Sequence, residues 1–135
     1  MARRGNNGVN EGACACGGAA GFDACCGPLL AGDRQADTAE QLMRSRYTAF
    51  VRRDADYLRA TWHPETRPSR VRCNPAQRWL GLSIKDREAG GVDDDEGVVE
   101  FVARFKVLGR GHRLHERSRF RREDGRWFYL DGDHL

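Results

Sequence analysis

The clearest periodicity along the chain begins after residue 37. Thr38 and Gln41 have the spacing of a helix capping box, in which two side chains satisfy free backbone N–H groups of the first turn. Apolar residues then recur at every third or fourth position, as in a helix with one buried face: Ala39, Leu42, Met43, Tyr47, Phe50 and Val51. Arg46 falls within this apolar face. The favoured interpretation is an arginine that snorkels at the edge of the face, and the alternative is a cation directed into a cavity.

A second, shorter helix is predicted to begin near Asp54. Its apolar residues are Tyr57, Leu58 and Trp62. Pro64 ends this helix, because the residue before a proline avoids helical backbone angles. His63 lies at that boundary, next to the last apolar residue of the helix.

After residue 78, apolar and polar residues alternate with a period of two, which indicates strands with one buried face. Four strands are predicted, at 79–86, 97–108, 112–122 and 127–131. The pair Asp124-Gly125 favours a tight turn between the last two. Two helices followed by an antiparallel meander predict an α+β domain, in which the helices pack on one face of a curved antiparallel sheet.

The alternation also predicts which strand residues face the helices. In the first strand, Leu80, Leu82 and Ile84 share one face, while Trp79 is expected on the other. In the second strand the apolar face is formed by Val99, Phe101, Ala103, Phe105 and Val107.

Four cysteines lie within thirteen residues near the N-terminus, spaced as C-x-C, eight further residues and then C-C. They are Cys14, Cys16, Cys25 and Cys26. Such a set offers four thiolates to one point, which is how structural zinc is commonly bound. Because four thiolates leave no open coordination position, the predicted zinc is structural and not a reaction centre.

Disulfide bonds or loose redox thiols are the alternative for these cysteines. The N-terminal residues have no apolar run of the kind found in a secretory signal, and no segment is as long and apolar as a membrane span. We therefore expect a cytoplasmic protein, without a membrane partner, whose thiols stay reduced and available to a metal. Cys73 lies far from the cluster and is interpreted as an incidental thiol.

Length and composition suit one domain with a small appendage. The chain has 135 residues, a formal net charge of +3 and 32% charged residues, so its charge alone gives little indication of a polyanionic partner. Three segments are expected: a disordered N-terminus at 1–13, a metal-binding knuckle at 14–28, and the α+β domain at 29–135.

Several strings in the chain resemble known families. The cysteine string, followed by Gly27-Pro28, resembles the SEC-C motif, the zinc-binding tail of the SecA translocation motor. The strings at 42–50, 57–64, 115–120 and 124–132 are similar to the YchJ family of bacterial proteins. In the SecA tail the fourth ligand is commonly histidine, whereas Cys26 would make this a four-sulfur site. The resemblance implies a zinc knuckle followed by a nuclear transport factor 2-like cone with an interior pocket.

The third predicted strand suggests what such a pocket would contain. Glu116, Ser118 and Phe120 share a face, and an apolar Phe120 indicates that this face points toward the helices. Glu116 would then lie near Arg46, either as a carboxylate with a raised pKa for proton abstraction or, in the favoured interpretation, as half of a structural ion pair. Three further residues are candidate walls of this pocket: Trp62, His63 and Trp79.

The opposite face of the same strand is rich in arginine, with Arg117, Arg119 and Arg121 in alternation and Arg110 and Arg113 nearby. This arginine stripe could follow a phosphate backbone of RNA or of the ribosome. A solvated face, or a homodimer surface paired with acidic groups, is the favoured interpretation.

Three functions follow from these patterns. The leading hypothesis is a non-catalytic, zinc-binding accessory or adaptor protein, whose knuckle contacts a protein or ribonucleoprotein. The alternative is a small-molecule-binding protein or enzyme that uses the pocket around Glu116 and Arg46. Association with nucleic acid through the arginine stripe is the third.

Overall fold

Three short helical segments and one longer helix precede a four-stranded sheet. The computed structural model describes residues 14–18 and 20–135, so the predicted disordered segment at 1–13 lies outside the described residues. The elements are a 3-10 turn at Phe22–Ala24, α1 at Gly27–Leu30, α2 at Ala39–Arg52, α3 at Ala55–Ala60, β1 at Gln77–Ala89, β2 at Glu96–Val107, β3 at Arg110–Glu123 and β4 at Arg126–His134.

Helix α2 begins where the capping pattern predicts. Thr38 Oγ1 accepts a hydrogen bond from the backbone N–H of Gln41 at 3.0 Å, and Gln41 Oε1 accepts one from the N–H of Asp37 at 2.7 Å. Both bonds satisfy N–H groups at the start of the helix. The helix ends at Arg52, and the C-cap residue Arg53 has a φ of 58°, in the left-handed region.

Helix α3 is joined to the sheet through the residues that follow it. Asp54 caps its start by accepting a hydrogen bond from the N–H of Tyr57. Beyond its end, Tyr129 N–H donates to Thr61 O at 2.8 Å, and His63 N–H donates to Tyr129 O at 2.8 Å. These two bonds bring Trp62 and His63 against β4.

The sheet is antiparallel throughout, in the order β1-β2-β3-β4. Asp124 and Gly125 have φ of 53° and 78°, which is the tight turn that this pair predicts between β3 and β4. The apolar face of β2 is buried as predicted at Val99, Phe101 and Ala103. The α+β fold class is thus confirmed, and no helix among the described residues is long and apolar enough to cross a membrane.

The faces predicted for β1 are wrong at its first residues. The register shifts between Trp79 and Gly81, where β1 has one residue more than β2. This bulge leaves Leu80 54% exposed, while Trp79 packs against the core together with Leu82 and Ile84. An extra residue changes the face of every side chain on one side of it, so the alternation read from the sequence fails at this point.

The core lies between α2 and the inner face of the sheet, which is the face that carries Phe101 and Phe120. It also includes three of the clustered cysteines, so the N-terminal knuckle packs on the domain. Its buried members are Cys14, Cys16, Cys26, Leu29, Ala36, Ala39, Leu42, Met43, Tyr47, Val99, Phe101, Ala103, Phe120 and Trp127.

Candidate functional site

The four N-terminal cysteines come together at one point. Their Sγ atoms all lie within 4.8 Å of one another, and none forms a disulfide. The first pair lies on the segment before Gly18, and the second pair follows the 3-10 turn at Phe22–Ala24. The N–H of Cys14 donates to Ala20 O at 3.2 Å, so the chain has folded back on the first pair before the second pair is reached.

The donor set and its spacing fit a tetrahedral metal. Four thiolates at about 2.3 Å from a zinc ion would be separated from one another by about 3.8 Å. The Sγ atoms of Cys16 and Cys25 are 3.6 Å apart, and those of Cys25 and Cys26 are 4.0 Å apart. Cys14, Cys16, Cys25 and Cys26 could therefore hold one metal ion with little rearrangement.

Helix α2 supplies the surroundings of the cluster. Thr48 Oγ1 donates a hydrogen bond to Cys26 Sγ at 3.4 Å and lies 3.7 Å from Cys14 Sγ. Arg44 Nη1 donates to Cys16 O at 2.6 Å, and the Arg52 guanidinium lies 3.5 Å from the centre of the Phe22 ring. These contacts hold the cysteine segments on one side of α2.

Proximity changes the acidity of the thiols. The hydrogen bond from Cys26 does most to lower the pKa of Cys16, which falls to about 5. Burial raises the pKa of Cys25 to about 11, and the hydrogen bond to Cys16 raises the pKa of Cys26. Proximity thus favours the thiolate form of Cys16 and disfavours that of Cys25 and Cys26, whereas a divalent ion would stabilise the thiolate form of each of its ligands.

A cavity of about 320 Å³ lies on the other side of α2, against the inner face of the sheet. Most of its wall is apolar and aromatic, and its polar groups come from α2 and from all the strands except β2. It is lined by Met43, Arg46, Tyr47, Phe50, Trp62, Gln77, Trp79, Phe101, Ala103, Leu114, Glu116, Ser118 and Tyr129.

Arg46 is buried in the wall of this cavity. It is 4% exposed, so it does not snorkel at the edge of the apolar face. Its guanidinium carbon lies 4.6 Å from the centre of the Tyr129 ring and 5.4 Å from that of Trp62. Burial lowers the pKa of the Arg46 guanidinium to about 10, opposed by the charges of nearby groups that include Glu116.

Glu116 lines the same cavity, but the predicted ion pair with Arg46 does not form. The Glu116 carboxylate accepts hydrogen bonds from Ser118 Oγ at 2.7 Å and Tyr129 Oη at 3.1 Å, both at Oε2. Arg46 donates instead to Leu58 O and Thr61 Oγ1. The guanidinium meets these acceptors because Leu58 lies in the last turn of α3 and Thr61 directly follows that helix, which packs on α2.

The structure places His63 outside the cavity. Its Nε2 lies 2.9 Å from Glu123 Oε2, and its Nδ1 accepts a hydrogen bond from the N–H of Glu65 at 3.1 Å. Although His63, Glu65 and Glu123 are spaced as metal ligands could be, both ring nitrogens are occupied, and Arg121 pairs with both carboxylates. This group is therefore an ion-pair network.

The arginine stripe on the outer face of the sheet is largely neutralised. Arg119 pairs with Asp131 and Asp133, and Arg121 with Glu65 and Glu123. Arg117 pairs with three acids: Asp86, Glu88 and Glu100. Three of the five stripe arginines thus pair with carboxylates, and a solvated face or a homodimer through this face stays a prediction.

Two residues that organise these sites are not among the predicted site residues. Tyr129 contacts both Arg46 and Glu116, and Thr48 contacts two cysteines. Tyr129 lies two residues after Trp127 on the same strand, so the two side chains share a face of the sheet, and this alternation predicts that Tyr129 points inward. For Thr48 the sequence gives no indication of a contact with the cysteines, because a threonine within a helix is commonly structural.

Comparison with known proteins places the chain in a family. Residues 38–132 match the family model described as YchJ, middle NTF2-like domain. A UPF0225 protein of Ralstonia nicotianae is 53% identical over 133 residues, covering 90% of each chain. A UPF0225 protein of Streptomyces coelicolor is 50% identical over 122 residues, covering 90% of this chain and 95% of the relative.

Two solved structures share the fold. The solution structure of a SEC-C motif containing protein from Rhodopseudomonas palustris has a TM-score of 0.79 and 37% identity, and the match covers 90% of this chain and 98% of that one. The crystal structure of a SEC-C motif containing protein from Psychrobacter arcticus has a TM-score of 0.72 and 26% identity, with 91% and 81% covered. With its matching domain and its close UPF0225 relatives, the chain belongs to the YchJ family.

Proposed function

We propose that the protein is a zinc-binding accessory protein of the bacterial cytoplasm, in which a structural zinc ion holds the N-terminal knuckle as a contact surface for a protein or ribonucleoprotein partner. The observation that carries this proposal is the convergence of four reduced Sγ atoms within 4.8 Å. A set of four thiolates suits structural zinc, and it requires a compartment that keeps thiols reduced.

The zinc ion would act through folding. The knuckle at 14–28 has few large apolar side chains, so its own packing provides little stability. Cys14, Cys16, Cys25 and Cys26 would hold the ion, which would join both halves of the knuckle and secure them on α2. No open position would remain for substrate, so this site would not be a reaction centre.

The adaptor role is supported by the shape of the knuckle surface. Its metal-facing side is buried against α2, whereas Ala15, Ala20, Asp23 and Ala24 are exposed. A short, metal-locked loop loses little conformational entropy on binding, which favours its use in recognition. The two solved relatives that share the fold are named for their SEC-C motif, which agrees with a common role for this segment.

Zinc content is the first test. Native mass spectrometry of the reduced protein is expected to give one zinc per chain in the wild type and in Cys73→Ser, and none in the double variant Cys14→Ser/Cys16→Ser. Cys73 is a matched control because it lies outside the cluster. A wild-type protein that binds no zinc under metal-replete, reducing conditions would contradict the proposal.

Partner capture tests the adaptor role separately. Wild type and Cys73→Ser should retain the same partner, and the double cysteine variant should lose it. Asp23→Lys keeps all four ligands and changes only the exposed knuckle surface, so it should weaken capture while zinc content stays at one per chain. Identical partner sets from all four proteins would show that the knuckle does not bind the partner. This result would contradict the adaptor role but not the zinc site.

A second candidate function is small-molecule binding in the cavity beside α2. The observation that favours it is a buried cation, Arg46, in the wall of a largely apolar and aromatic space of about 320 Å³. Small-molecule sites commonly combine apolar walls with a few fixed polar groups in this way. Thermal stabilisation by a ligand in the wild type, and its loss in Arg46→Met, would support this function.

A further inference from the structure

The hydrogen-bonding capacity of Arg46 is only partly used. A guanidinium carries five N–H groups, and both hydrogen bonds that it donates leave from Nη1, to Leu58 O at 2.8 Å and to Thr61 Oγ1 at 2.7 Å. Within 14–18 and 20–135, Nε and Nη2 donate to no acceptor. One edge of the planar fork is therefore fixed by α3, and the other edge is free.

The free edge opens into the cavity. Trp62 Nε1 is the one fully buried side-chain polar atom without a partner in the part of the chain that the structure describes. The unused N–H groups of Arg46 are thus not sealed in protein, although the residue as a whole is 4% exposed. Since Arg46 lines the cavity, that cavity is the space they reach.

Among residues 14–18 and 20–135, no acidic side chain forms an ion pair with this cation. Glu116, the acidic residue of the cavity wall, uses Oε2 to accept from Ser118 and Tyr129, and its Oε1 lies 4.0 Å from His134 Nε2. Burial disfavours the charged form of Arg46 and lowers its pKa. An anion in the cavity would restore this lost stabilisation, because a charge-assisted pair is strongest where water is excluded.

The remaining wall defines the rest of the ligand. Phe50, Trp79 and Phe101 form an aromatic surface facing the space next to Arg46. At about 30 Å³ for each water, the cavity of about 320 Å³ has room for a ligand of about ten non-hydrogen atoms. A planar anionic group joined to a small apolar body matches both parts of the wall.

We propose that the cavity binds a small monocarboxylate, with its carboxylate against the free edge of Arg46 and its apolar body against the aromatic wall. This proposal rests on small-molecule binding, the second candidate function above, and names the ligand class. A carboxylate fits the fork because guanidinium and carboxylate form two parallel hydrogen bonds. The test therefore compares acids with uncharged ligands of the same shape.

The experiment is an NMR titration of the ¹⁵N-labelled, zinc-replete full chain at pH 7. The probes are octanoate and phenylacetate, and each is matched with its primary amide. The acids are expected to shift the amide signals of α2 and β3 and to bind at least 10-fold more tightly than the amides. Equal affinity for acid and amide would overturn the carboxylate assignment but preserve small-molecule binding, and a complete lack of binding at millimolar concentration would overturn both.

Two substitutions in the cavity have opposite expected effects. Arg46→Met should weaken binding of the acids by about 10- to 100-fold, because it removes the charge-assisted pair. Glu116→Gln should raise the affinity a few-fold, since it removes a negative charge near the bound anion. A loss of acid binding in Glu116→Gln with normal binding in Arg46→Met would overturn the proposal.

Arg44→Met is the matched control. Arg44 lies on the same helix, but it pairs with Glu40 and contacts the knuckle, outside the cavity. Its loss should leave acid binding within 2-fold of the wild type. Arg46→Lys keeps the cation without the fork and should show an intermediate affinity. Should Arg46→Met fail to fold, the acid and amide comparison on the wild type still decides the question.

Discussion

Thr48 Oγ1 donates a hydrogen bond to Cys26 Sγ across 3.4 Å, which links the middle of α2 to the cysteine cluster. Thr48 is fully buried, and it makes this contact two residues after Arg46. Two positions along a helix correspond to a rotation of about 200°. The two sides of one helix therefore serve two different sites, the cluster on one side and the cavity on the other.

Thr48→Val is expected to weaken zinc binding by about 10- to 100-fold, the usual effect of losing a group that hydrogen bonds to a metal ligand. The two side chains are similar in shape, so the substitution removes little more than the hydroxyl. Competition with a chromophoric chelator measures the affinity. Thr48→Ser keeps the hydroxyl, so its zinc affinity should stay near that of the wild type. Wild-type zinc affinity in Thr48→Val would show that the contact does not contribute to zinc binding.

Gly132→Ala is expected to lower the free energy of unfolding by about 1–3 kcal/mol. A Cβ at Gly132 would overlap the Glu116 carboxylate, which must then leave its hydrogen bonds to Ser118 and Tyr129. Urea unfolding measures the change. Gly111→Ala is a matched control, because a Cβ there meets open space.

A double-mutant cycle isolates the cause of that effect. If the overlap with Glu116 is responsible, Gly132→Ala should lower the free energy of unfolding much less in a Glu116→Ala background than in the wild type. The same cost in both backgrounds would mean that Gly132 is required for a different reason.

The outer-face ion pairs should appear in carboxyl titrations. The hydrogen bond from Arg119 holds the pKa of Asp133 below its ordinary value of 3.8. Because the folded pKa is the lower one, this pair stabilises the fold above the unfolded pKa and loses its effect as the pH falls through the folded value. NMR of the side-chain carboxyl carbon should give a midpoint below 3.8 that returns toward that value in Arg119→Met.

Arg113→Met is the control for this titration, because Arg113 forms no ion pair among the described residues. High salt should reduce the difference between wild type and Arg119→Met, since the pair is exposed and screened. An Asp133 midpoint that does not respond to Arg119→Met would show that the ion pair is not populated in solution.

The bulge in β1 predicts unequal effects of two leucine substitutions. Leu82→Ala should destabilise the protein by about 1–3 kcal/mol, because Leu82 packs against the core but is only partly buried. Leu80→Ala should change stability by about 0.5 kcal/mol or less, since Leu80 is 54% exposed. Chemical unfolding of both variants measures the contrast, and a larger cost at Leu80 would mean that β1 follows the unbulged register in solution.

The features that sequence analysis predicted best depend on local spacing. The capping residues Thr38 and Gln41 determine where α2 begins, and the cysteine spacing brings four Sγ atoms together within one short segment. Both involve residues close together in the chain. A motif of this kind can be interpreted without knowledge of the rest of the fold.

The features that were missed depend on contacts between distant segments. The predicted pairing of Arg46 with Glu116 is replaced by hydrogen bonds from Arg46 to Leu58 O and Thr61 Oγ1. The sequence alone does not indicate which of several possible acceptors a buried arginine contacts. His63 was expected in the pocket wall, whereas its bond to Tyr129 O turns it toward Glu123. The extra residue at Leu80 is compatible with the same alternating pattern, so only the pairing with β2 reveals it.

The two register shifts in β1, after Trp79 and after Ile84, have a further consequence, because β1 is an edge strand of the sheet. A straight, flat edge offers a row of unpaired backbone groups on which a foreign strand can grow. Bulges bend and twist such an edge, and Lys85 places a charge at the second shift. The β1 edge is thus protected from pairing with a foreign strand by the same irregularity that turns Trp79 into the core.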